Sequence, residues 1–181
     1  MNHPIYLLIS IVIGTSIILI LTRTTVFVTE NNQEAIQEEK VFQNFSTTQQ
    51  ILEYYLKKVG FRSPVNPIVE ADSTRIEFLC DEDNDGLIDS LEIRLGDAAE
   101  NTQNPNDYKL ILIKNGNEQL IVPYGVTRFK LDYYDVNGNT TSEKLFIRFI
   151  KVSLRIESDF PIRDYYLFYE DNFIIRPRNL G

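Results

Sequence analysis

Residues 74–96, TRIEFLCDEDNDGLIDSLEIRLG, place two alternating segments on either side of an acidic run. In both segments every second residue is apolar, and these residues are Ile76, Phe78, Cys80, Leu91, Ile93 and Leu95. A period of two puts such residues on one face of a β-strand. The stretch therefore predicts two antiparallel strands joined by an acidic turn, with the thiol of Cys80 buried and unreactive.

The same period of two continues along the rest of the chain. Residues 108–122, YKLILIKNGNEQLIV, form two apolar runs around Asn115-Gly116, which is a strong signal for a hairpin. A later segment, FIKVSLRIES, alternates cleanly between apolar and polar side chains. We expect about seven strands in the sheet domain, residues 63–181, with the polar run 97–107 as a surface loop.

Residues 5–22, IYLLISIVIGTSIILILT, form an apolar run that ends before Arg23. These 18 residues carry no charge. As a helix they extend about 27 Å, which is close to the hydrocarbon thickness of a bilayer. We predict a retained transmembrane helix in residues 1–23. A cleaved secretory signal is the alternative, but the run is too long, no basic residue precedes it and no small-residue cleavage site follows it.

Residues 24–62 predict an amphipathic continuation of this helix. Apolar or neutral side chains recur there at steps of four and three, at Val41, Phe45, Thr48, Leu52, Tyr55 with Leu56, and Val59. Such a stripe marks the buried face of a helix. Gly60 is a typical helix stop, and Pro64 and Pro67 prevent the helix from resuming. The predicted fold class is therefore α+β, with one long N-terminal helix packed on an antiparallel β-sheet.

Composition and charge exclude several classes of function. The chain has 181 residues and a formal net charge of −8, so binding to nucleic acid has no electrostatic basis. His3 is the only histidine and precedes the apolar run, which rules out a histidine-dependent active site in the sheet domain. The sequence also has no P-loop, nucleophile elbow or dinucleotide-binding glycine motif. We therefore expect a protein that is not an enzyme and has no small-molecule substrate.

The acidic run 81–92, DEDNDGLIDSLE, has the spacing of a calcium-binding loop. Its candidate ligands stand at positions one, three, five, seven, nine and twelve, and they are Asp81, Asp83, Asp85, the carbonyl of Leu87, Asp89 and Glu92. Gly86, at position six, permits the sharp turn that such a loop needs. Aspartates packed this closely repel one another unless a cation lies between them. The sequence thus predicts a structural Ca²⁺ site that fixes the hairpin.

A metal-free, solvated turn is the alternative, because aspartate-rich turns with Asn-Asp-Gly are ordinary hairpin chemistry. The predicted flanks are strands rather than the helices of an EF-hand, and Glu92 lies on the strand face opposite Leu91 and Ile93. A second acidic turn, DVNGN at 135–139, is interpreted as a plain turn. Five tyrosines are a further option for binding a carbohydrate or a partner, although alternation predicts that about half of them are core. They are Tyr133, Tyr134, Tyr165, Tyr166 and Tyr169.

The order of these elements resembles a known family. LEYYLKKVGFR closes the amphipathic helix, the acidic hairpin follows, VPYGVTRFKLDYYDVNGN and IKVSLRIES come next, and IIRPRNLG comes last. In this order they resemble the PilW-like minor type IV pilins and the J-type pseudopilins of type II secretion. The most specific parts are Gly125-Val126 leading into FKLDYYD, and the run from Arg176 to Leu180.

The resemblance implies a non-enzymatic structural subunit that is anchored in the inner (cytoplasmic) membrane and forms part of a type IV pilus or a secretion pseudopilus, or primes one. Its partners would be the membrane and other pilin or pseudopilin subunits. The sheet domain would face out of the cytoplasm, on a surface filament in the case of a pilus. A prepilin-type processing motif is not recognisable in residues 1–23. The alternative is therefore an uncleaved, single-pass membrane-anchored binding module with a calcium-stabilised hairpin and no filament role.

Overall fold

The computed structural model describes residues 3–63, 66–100 and 102–180, and for residues 3, 123 and 124 it describes the backbone alone. Within these residues it contains one long α-helix, seven β-strands and a short 3-10 helix. Their bounds are α1 His3–Lys57, β1 Ile68–Ala71, β2 Arg75–Cys80, β3 Asp89–Ala98, β4 Tyr108–Lys114, β5 Asn117–Tyr134, the 3-10 helix Lys144–Phe146, β6 Phe149–Glu157 and β7 Phe168–Ile175. The chain divides into two compact units, Met1–Gln37 and Glu38–Gly181.

The strands of the described chain form one antiparallel sheet in sequential order, from β1 to β7. This order is natural for a sheet of hairpins, because antiparallel neighbours can be joined by tight turns. Asn115 and Gly116 have positive φ, 51° and 81°, which is the primed turn predicted for the β4–β5 hairpin. Phe78 pairs with Leu91 across β2 and β3, as the alternating segments predict. The predicted α+β fold and its number of strands are confirmed.

The core lies between one face of the sheet and the helical stripe of α1. Six of the predicted stripe residues are at most 4% exposed, and these are Val41, Phe45, Thr48, Leu52, Leu56 and Val59. The strands contribute alternate residues such as Ile76, Phe78 and Cys80, which have no exposed surface. Burying a large apolar side chain contributes about 1.5–3 kcal/mol, so the stripe and the sheet stabilise each other. Burial also raises the pKa of Cys80 to about 11, which keeps it a thiol at neutral pH, as predicted.

The end of α1 is fixed by a glycine. Regular α-helix ends at Lys57, and turns at residues 58–62 lead towards the first strand. Gly60 has a φ of +76°, and a Cβ atom there would lie 2.9 Å from Cγ of Pro67. Only glycine accepts both the left-handed backbone and the close approach. Gly60 therefore stops the helix as predicted.

The first part of α1 is apolar and exposed. Within the described residues α1 is the one helix long and apolar enough to cross a membrane, and 0% of its apolar window is buried. Hydroxyl groups in this part donate to backbone carbonyls about one turn back over 2.8–3.0 Å, from Ser10, Thr15, Ser16, Thr22, Thr24, Thr25 and Thr29. Hydroxyls that are satisfied inside the helix are tolerated in hydrocarbon. The segment thus has the length and composition of a membrane anchor or a signal sequence.

The predicted surface loop at 97–107 is wrong in part. β3 extends through Ala98, and Asn104 and Asp107 have only 2% and 1% of their surface exposed. The loop contacts the end of β6, where Asn104 Nδ2 donates to Glu157 Oε2 over 2.8 Å. Local composition does not reveal this burial, because polar side chains are buried wherever the fold supplies a partner for them.

Candidate metal centre in the β2–β3 loop

The acidic loop, residues 81–88, joins β2 to β3. Its aspartates shape it by accepting hydrogen bonds from the backbone. Asp83 Oδ1 accepts from the Asp85 amide at 3.3 Å, and Asp85 Oδ1 accepts from the Leu87 amide at 2.8 Å. Gly86 has a φ of 88°, in the left-handed region that glycine adopts without strain. The left-handed glycine and local hydrogen bonds to the aspartates therefore form the turn of the acidic loop.

Asp81 opens the acidic loop and has no exposed surface. Its Oδ2 accepts from the Arg62 guanidinium at 2.9 Å and from the Gly86 amide at 3.2 Å. Its Oδ1 is also buried and has no hydrogen-bond partner within the described residues. Burial acts to raise the pKa of Asp81, but the hydrogen bonds from Arg62 and Gly86 outweigh it, so the pKa lies below its usual value. Asp81 is thus a buried, ionised carboxylate with one oxygen unpaired.

The structure brings together three of the predicted ligands, Asp81, Asp83 and Asp85. One carboxylate oxygen from each lies within 4.8 Å of the others. Two ligands of the same Ca²⁺ ion, each about 2.3–2.6 Å from it, are at most about 5 Å apart. The three aspartates therefore satisfy the spacing that a shared ion requires, with Asp81 buried and the other two exposed.

Leu87 and Asp89 follow in the chain. Leu87 lies in the acidic loop with its side chain 69% exposed, so its backbone is near the surface. Asp89 is held at the start of β3, where its Oδ1 accepts from Asn115 Nδ2 at 2.6 Å. Its Oδ2 accepts from the Glu82 amide at 3.1 Å. Asp89 therefore ties the acidic loop to the β4–β5 turn and stands outside the three-aspartate cluster.

Glu92 belongs to the outer face of the sheet. Leu91 and Ile93 on either side of it are buried, so strand alternation turns Glu92 the other way, as the sequence indicates. Its Oε1 lies 2.8 Å from Arg75 Nε and 3.6 Å from Arg94 Nε. Glu92 thus forms ion pairs with two guanidinium groups and lies outside the three-aspartate cluster.

Glu82 is a member of the acidic loop that the ligand pattern does not include. Its carboxylate lies 2.9 Å from Lys114 Nζ and 3.0 Å from Lys58 Nζ. Hydrogen bonds from these two lysines lower the pKa of Glu82 to about 2. Lys114 Nζ also lies 3.5 Å from Asp83 Oδ2 and 3.6 Å from Asp89 Oδ2. These ion pairs join residues far apart in the sequence, so no local spacing could have shown them.

The second acidic turn, residues 135–139, contrasts with the acidic loop. Asp135 Oδ1 accepts from the amides of Asn137 and Asn139 at 2.8 and 2.9 Å, and Oδ2 accepts from Asn139 Nδ2 at 3.4 Å. These hydrogen bonds, with the Asn139 amide contributing most, hold the pKa of Asp135 below its usual value. Both oxygens have donors from the turn itself, as a plain turn requires.

Asp107 is a second buried aspartate, and no sequence pattern predicts its burial. Both of its carboxylate oxygens are buried and have no hydrogen-bond partner among the described residues. Burial raises the pKa of Asp107 to about 6, although the nearby Thr102 hydroxyl and Gly125 amide act to lower it, and the carboxylates of Asp159 and Glu157 add to the increase. Asp159 is itself paired with Lys40 Nζ at 2.6 Å. The only signal in the sequence is an aspartate in a polar loop, which is far too common to predict burial.

The five candidate tyrosines differ in their surroundings. Tyr133 is 8% exposed, and its hydroxyl donates to the Asp72 carbonyl at 2.9 Å. Tyr165 and Tyr169 are 46% and 40% exposed. The ring of Tyr169 lies 4.6 Å from that of Phe45, centre to centre, so this side chain also covers the core. The alternation argument is thus confirmed for Tyr133.

Comparisons of the chain with protein-family models, with curated proteins and with solved structures found no match.

Proposed function

We propose that this protein is a non-enzymatic structural subunit of the minor pilin or pseudopilin kind, anchored in the inner membrane. The observation that supports the proposal is the difference between the two parts of α1. Between residues 5 and 28 its large apolar side chains are exposed, whereas between residues 41 and 59 its stripe is buried in the core of the sheet domain. The same helix thus offers an apolar surface to a bilayer and a packing face to the sheet. The non-enzymatic part rests on the sequence motifs and on the position of His3.

An exposed apolar helix is stable only where it leaves water. A bilayer and the helical core of a polymer both provide such a place, and in both the backbone polar groups are satisfied within the helix. In a filament the apolar segment would move from the bilayer into the polymer core, and the sheet domain would contact neighbouring subunits. The order of the sequence elements, which resembles that of PilW-like and J-type proteins, supports this version, with the sheet domain outside the cytoplasm.

Shearing and fractionation test the proposal. The full chain is expressed in its native host with a C-terminal tag, and sheared surface filaments are compared with membranes for the amount and apparent mass of the tagged protein. We expect the tag in membranes and in the sheared fraction. Full-length tag confined to membranes would contradict the filament role and favour the second candidate, a single-pass anchored binding module.

Two matched variants test the anchor itself. Ile18 is 63% exposed within the apolar segment, and a central aspartate costs about 2.5–3.5 kcal/mol of membrane insertion. We expect Ile18→Asp to lose most of the membrane-bound protein. Asn32 is exposed beyond the apolar segment, so Asn32→Asp should fractionate as the wild type does. Loss of both variants from the membrane, or of neither, would contradict anchoring through residues 5–22.

A further inference from the structure

We propose that the acidic loop binds one Ca²⁺ ion through carboxylate oxygens of Asp81, Asp83 and Asp85. The inference does not depend on the filament proposal, because it concerns the loop alone and applies equally to an anchored module. It combines the clustering of the three carboxylates, within 4.8 Å of one another, with the state of one buried oxygen.

The unpaired Oδ1 of Asp81 is the observation that points to a ligand. A buried carboxylate oxygen without a partner is costly, and native structures rarely leave one. The other oxygen of Asp81 is already occupied by Arg62 and the Gly86 amide, so the carboxylate is held in place. Its acidic neighbours Asp83 and Asp85 bring further carboxylate oxygens to the site and no amine or amide side chain that could donate to it. A cation is the partner that such an oxygen requires, and Asp81 can accept it without releasing Arg62.

The cations of the protein leave part of the loop's charge uncompensated. Arg62 pairs with Asp81 at 2.9 Å. Lys114 lies 3.5 Å from Asp83 but is closer to Glu82, at 2.9 Å. Asp85 is exposed, and the pairs that Arg62 and Lys114 form are with other acidic side chains. A divalent cation would compensate the two exposed aspartates and fill the gap beside the buried one.

Calcium fits this set of ligands better than other common metal ions. The donors are carboxylate oxygens, which hard cations prefer, and Ca²⁺ accepts a flexible shell completed by a backbone carbonyl and water. Mg²⁺ requires a near-ideal octahedron and keeps more of its own water. Zn²⁺ and Cu⁺ prefer imidazole or thiolate, and the one thiol, Cys80, is buried on the core side of β2. With three carboxylates, two of them exposed, we expect the affinity of an extracellular module, about 0.1–1 mM.

Calcium titration of the full chain in detergent micelles tests the proposal. The protein is stripped with EGTA, and thermal unfolding is followed against added Ca²⁺ or Mg²⁺. We expect the melting temperature to rise by several degrees in millimolar Ca²⁺ and much less in Mg²⁺. Asp83→Asn and Asp85→Asn alter exposed side chains and should fold, yet each should raise the Ca²⁺ concentration needed for half of the shift at least about tenfold. Asp135→Asn, in the plain turn, is the matched control and should keep the full shift.

Terbium luminescence locates the ion. Tb³⁺ replaces Ca²⁺ at oxygen sites and is excited through nearby tyrosine, and the Tyr54 hydroxyl lies 3.1 Å from Glu82 Oε1 in the acidic loop. We expect a tyrosine-sensitised signal that Ca²⁺ displaces and that Asp83→Asn weakens. The absence of a Ca²⁺-dependent shift in the wild type would overturn the proposal. So would a shift and a luminescence signal that Asp83→Asn and Asp85→Asn leave unchanged, since the ion would then lie elsewhere.

Discussion

Asp81 and Asp107 are two aspartates buried to the same degree, 0% and 1% exposed, and their surroundings are opposite. Asp81 faces the guanidinium of Arg62 and a backbone amide. Asp107 has Asp159 and Glu157 as its charged neighbours. The pKa of Asp81 is lowered, whereas that of Asp107 is raised to about 6. Burial by itself favours the neutral form of an acid, so the neighbours decide which of the two stays charged.

The comparison predicts how each site contributes to stability. A carboxylate that is stabilised in the folded state supports folding above its usual pKa, and one that is destabilised opposes folding there. Asp81 should therefore stabilise the folded protein at neutral pH and Asp107 should destabilise it.

Asp107→Asn should give the largest change. The folded-state pKa of about 6 is raised from 3.8, so the stability linked to this group is complete below pH 4 and is lost as the pH rises through 6. Raising the pKa of Asp107 from 3.8 to about 6 corresponds to about 3 kcal/mol of folding free energy. We expect the variant to be more stable than the wild type by up to about 3 kcal/mol at pH 8 and to lack this loss. Urea unfolding of the full chain in micelles, from pH 4 to pH 8, measures it.

Glu157 and Asp159 lie close enough to Asp107 to raise its pKa, so the effect of Asp107 must be measured separately from theirs. The difference between wild type and Asp107→Asn at each pH isolates the group, because the neighbours are common to both proteins. A constant difference between pH 4 and pH 8 would show that Asp107 has an ordinary pKa in the folded protein.

Arg62→Met removes the counter-ion of Asp81 and should have the next largest effect. Breaking a buried ion pair costs about 3–5 kcal/mol, but the Arg62 side chain is 54% exposed, so screening by water reduces this to about 1–2 kcal/mol. The lowered pKa of Asp81 supplies stability at neutral pH, and that stability is lost as the pH falls below about 4. The deficit of the variant in urea unfolding should therefore shrink at low pH.

Arg128→Met is the matched control for Arg62→Met, because Arg128 pairs with Glu170 through a side chain that is 56% exposed. A surface pair of this kind contributes about 0–1 kcal/mol. Equal losses from the two variants would mean that the burial of Asp81 has no energetic consequence. Added Ca²⁺ should reduce the difference in unfolding free energy between Arg62→Met and the wild type. It should leave the difference between Arg128→Met and the wild type unchanged.

The features of the fold and of the acidic loop that the sequence could predict are local. The stripe from Val41 to Val59, the Asn115-Gly116 turn and the gathering of Asp81, Asp83 and Asp85 all follow from spacing along one segment. Short-range patterns determine such features, because the chain between the partners is too short to place them otherwise.

The part that the sequence could not predict depends on distant segments. Glu82 meets Lys58 and Lys114, which lie on other elements. Glu92 is engaged by Arg75 across the sheet, a pairing that depends on strand register. Asp107 is buried because its loop contacts the end of β6. Register and loop packing are properties of the assembled fold, so the sequence does not show which distant groups surround each of these carboxylates.

Lys114→Met should separate the stability of the acidic loop from its affinity for calcium. Lys114 holds Glu82 at 2.9 Å and stands 3.5 Å from Asp83. Removing it should lower the free energy of unfolding by about 1 kcal/mol in EGTA, since one of the two lysines on Glu82 stays in place. The same change removes a positive charge beside the proposed ion, so we expect tighter Ca²⁺ binding in the terbium competition. Weaker binding would mean that Lys114 positions the ligands rather than competing with the ion.

Asp135→Asn should have the smallest effect. The amides of Asn137 and Asn139 can still donate to the side-chain oxygen of an asparagine, so only the charge-assisted part of those hydrogen bonds is lost, and the free energy of unfolding should stay close to that of the wild type. Because the pKa of Asp135 is lowered, the loss should be present at neutral pH and disappear as the pH falls below about 4. Urea unfolding with and without Ca²⁺ should give the same difference from the wild type. A calcium-dependent difference would show that this turn also binds the ion, and that an unpaired buried oxygen is not what distinguishes the acidic loop from it.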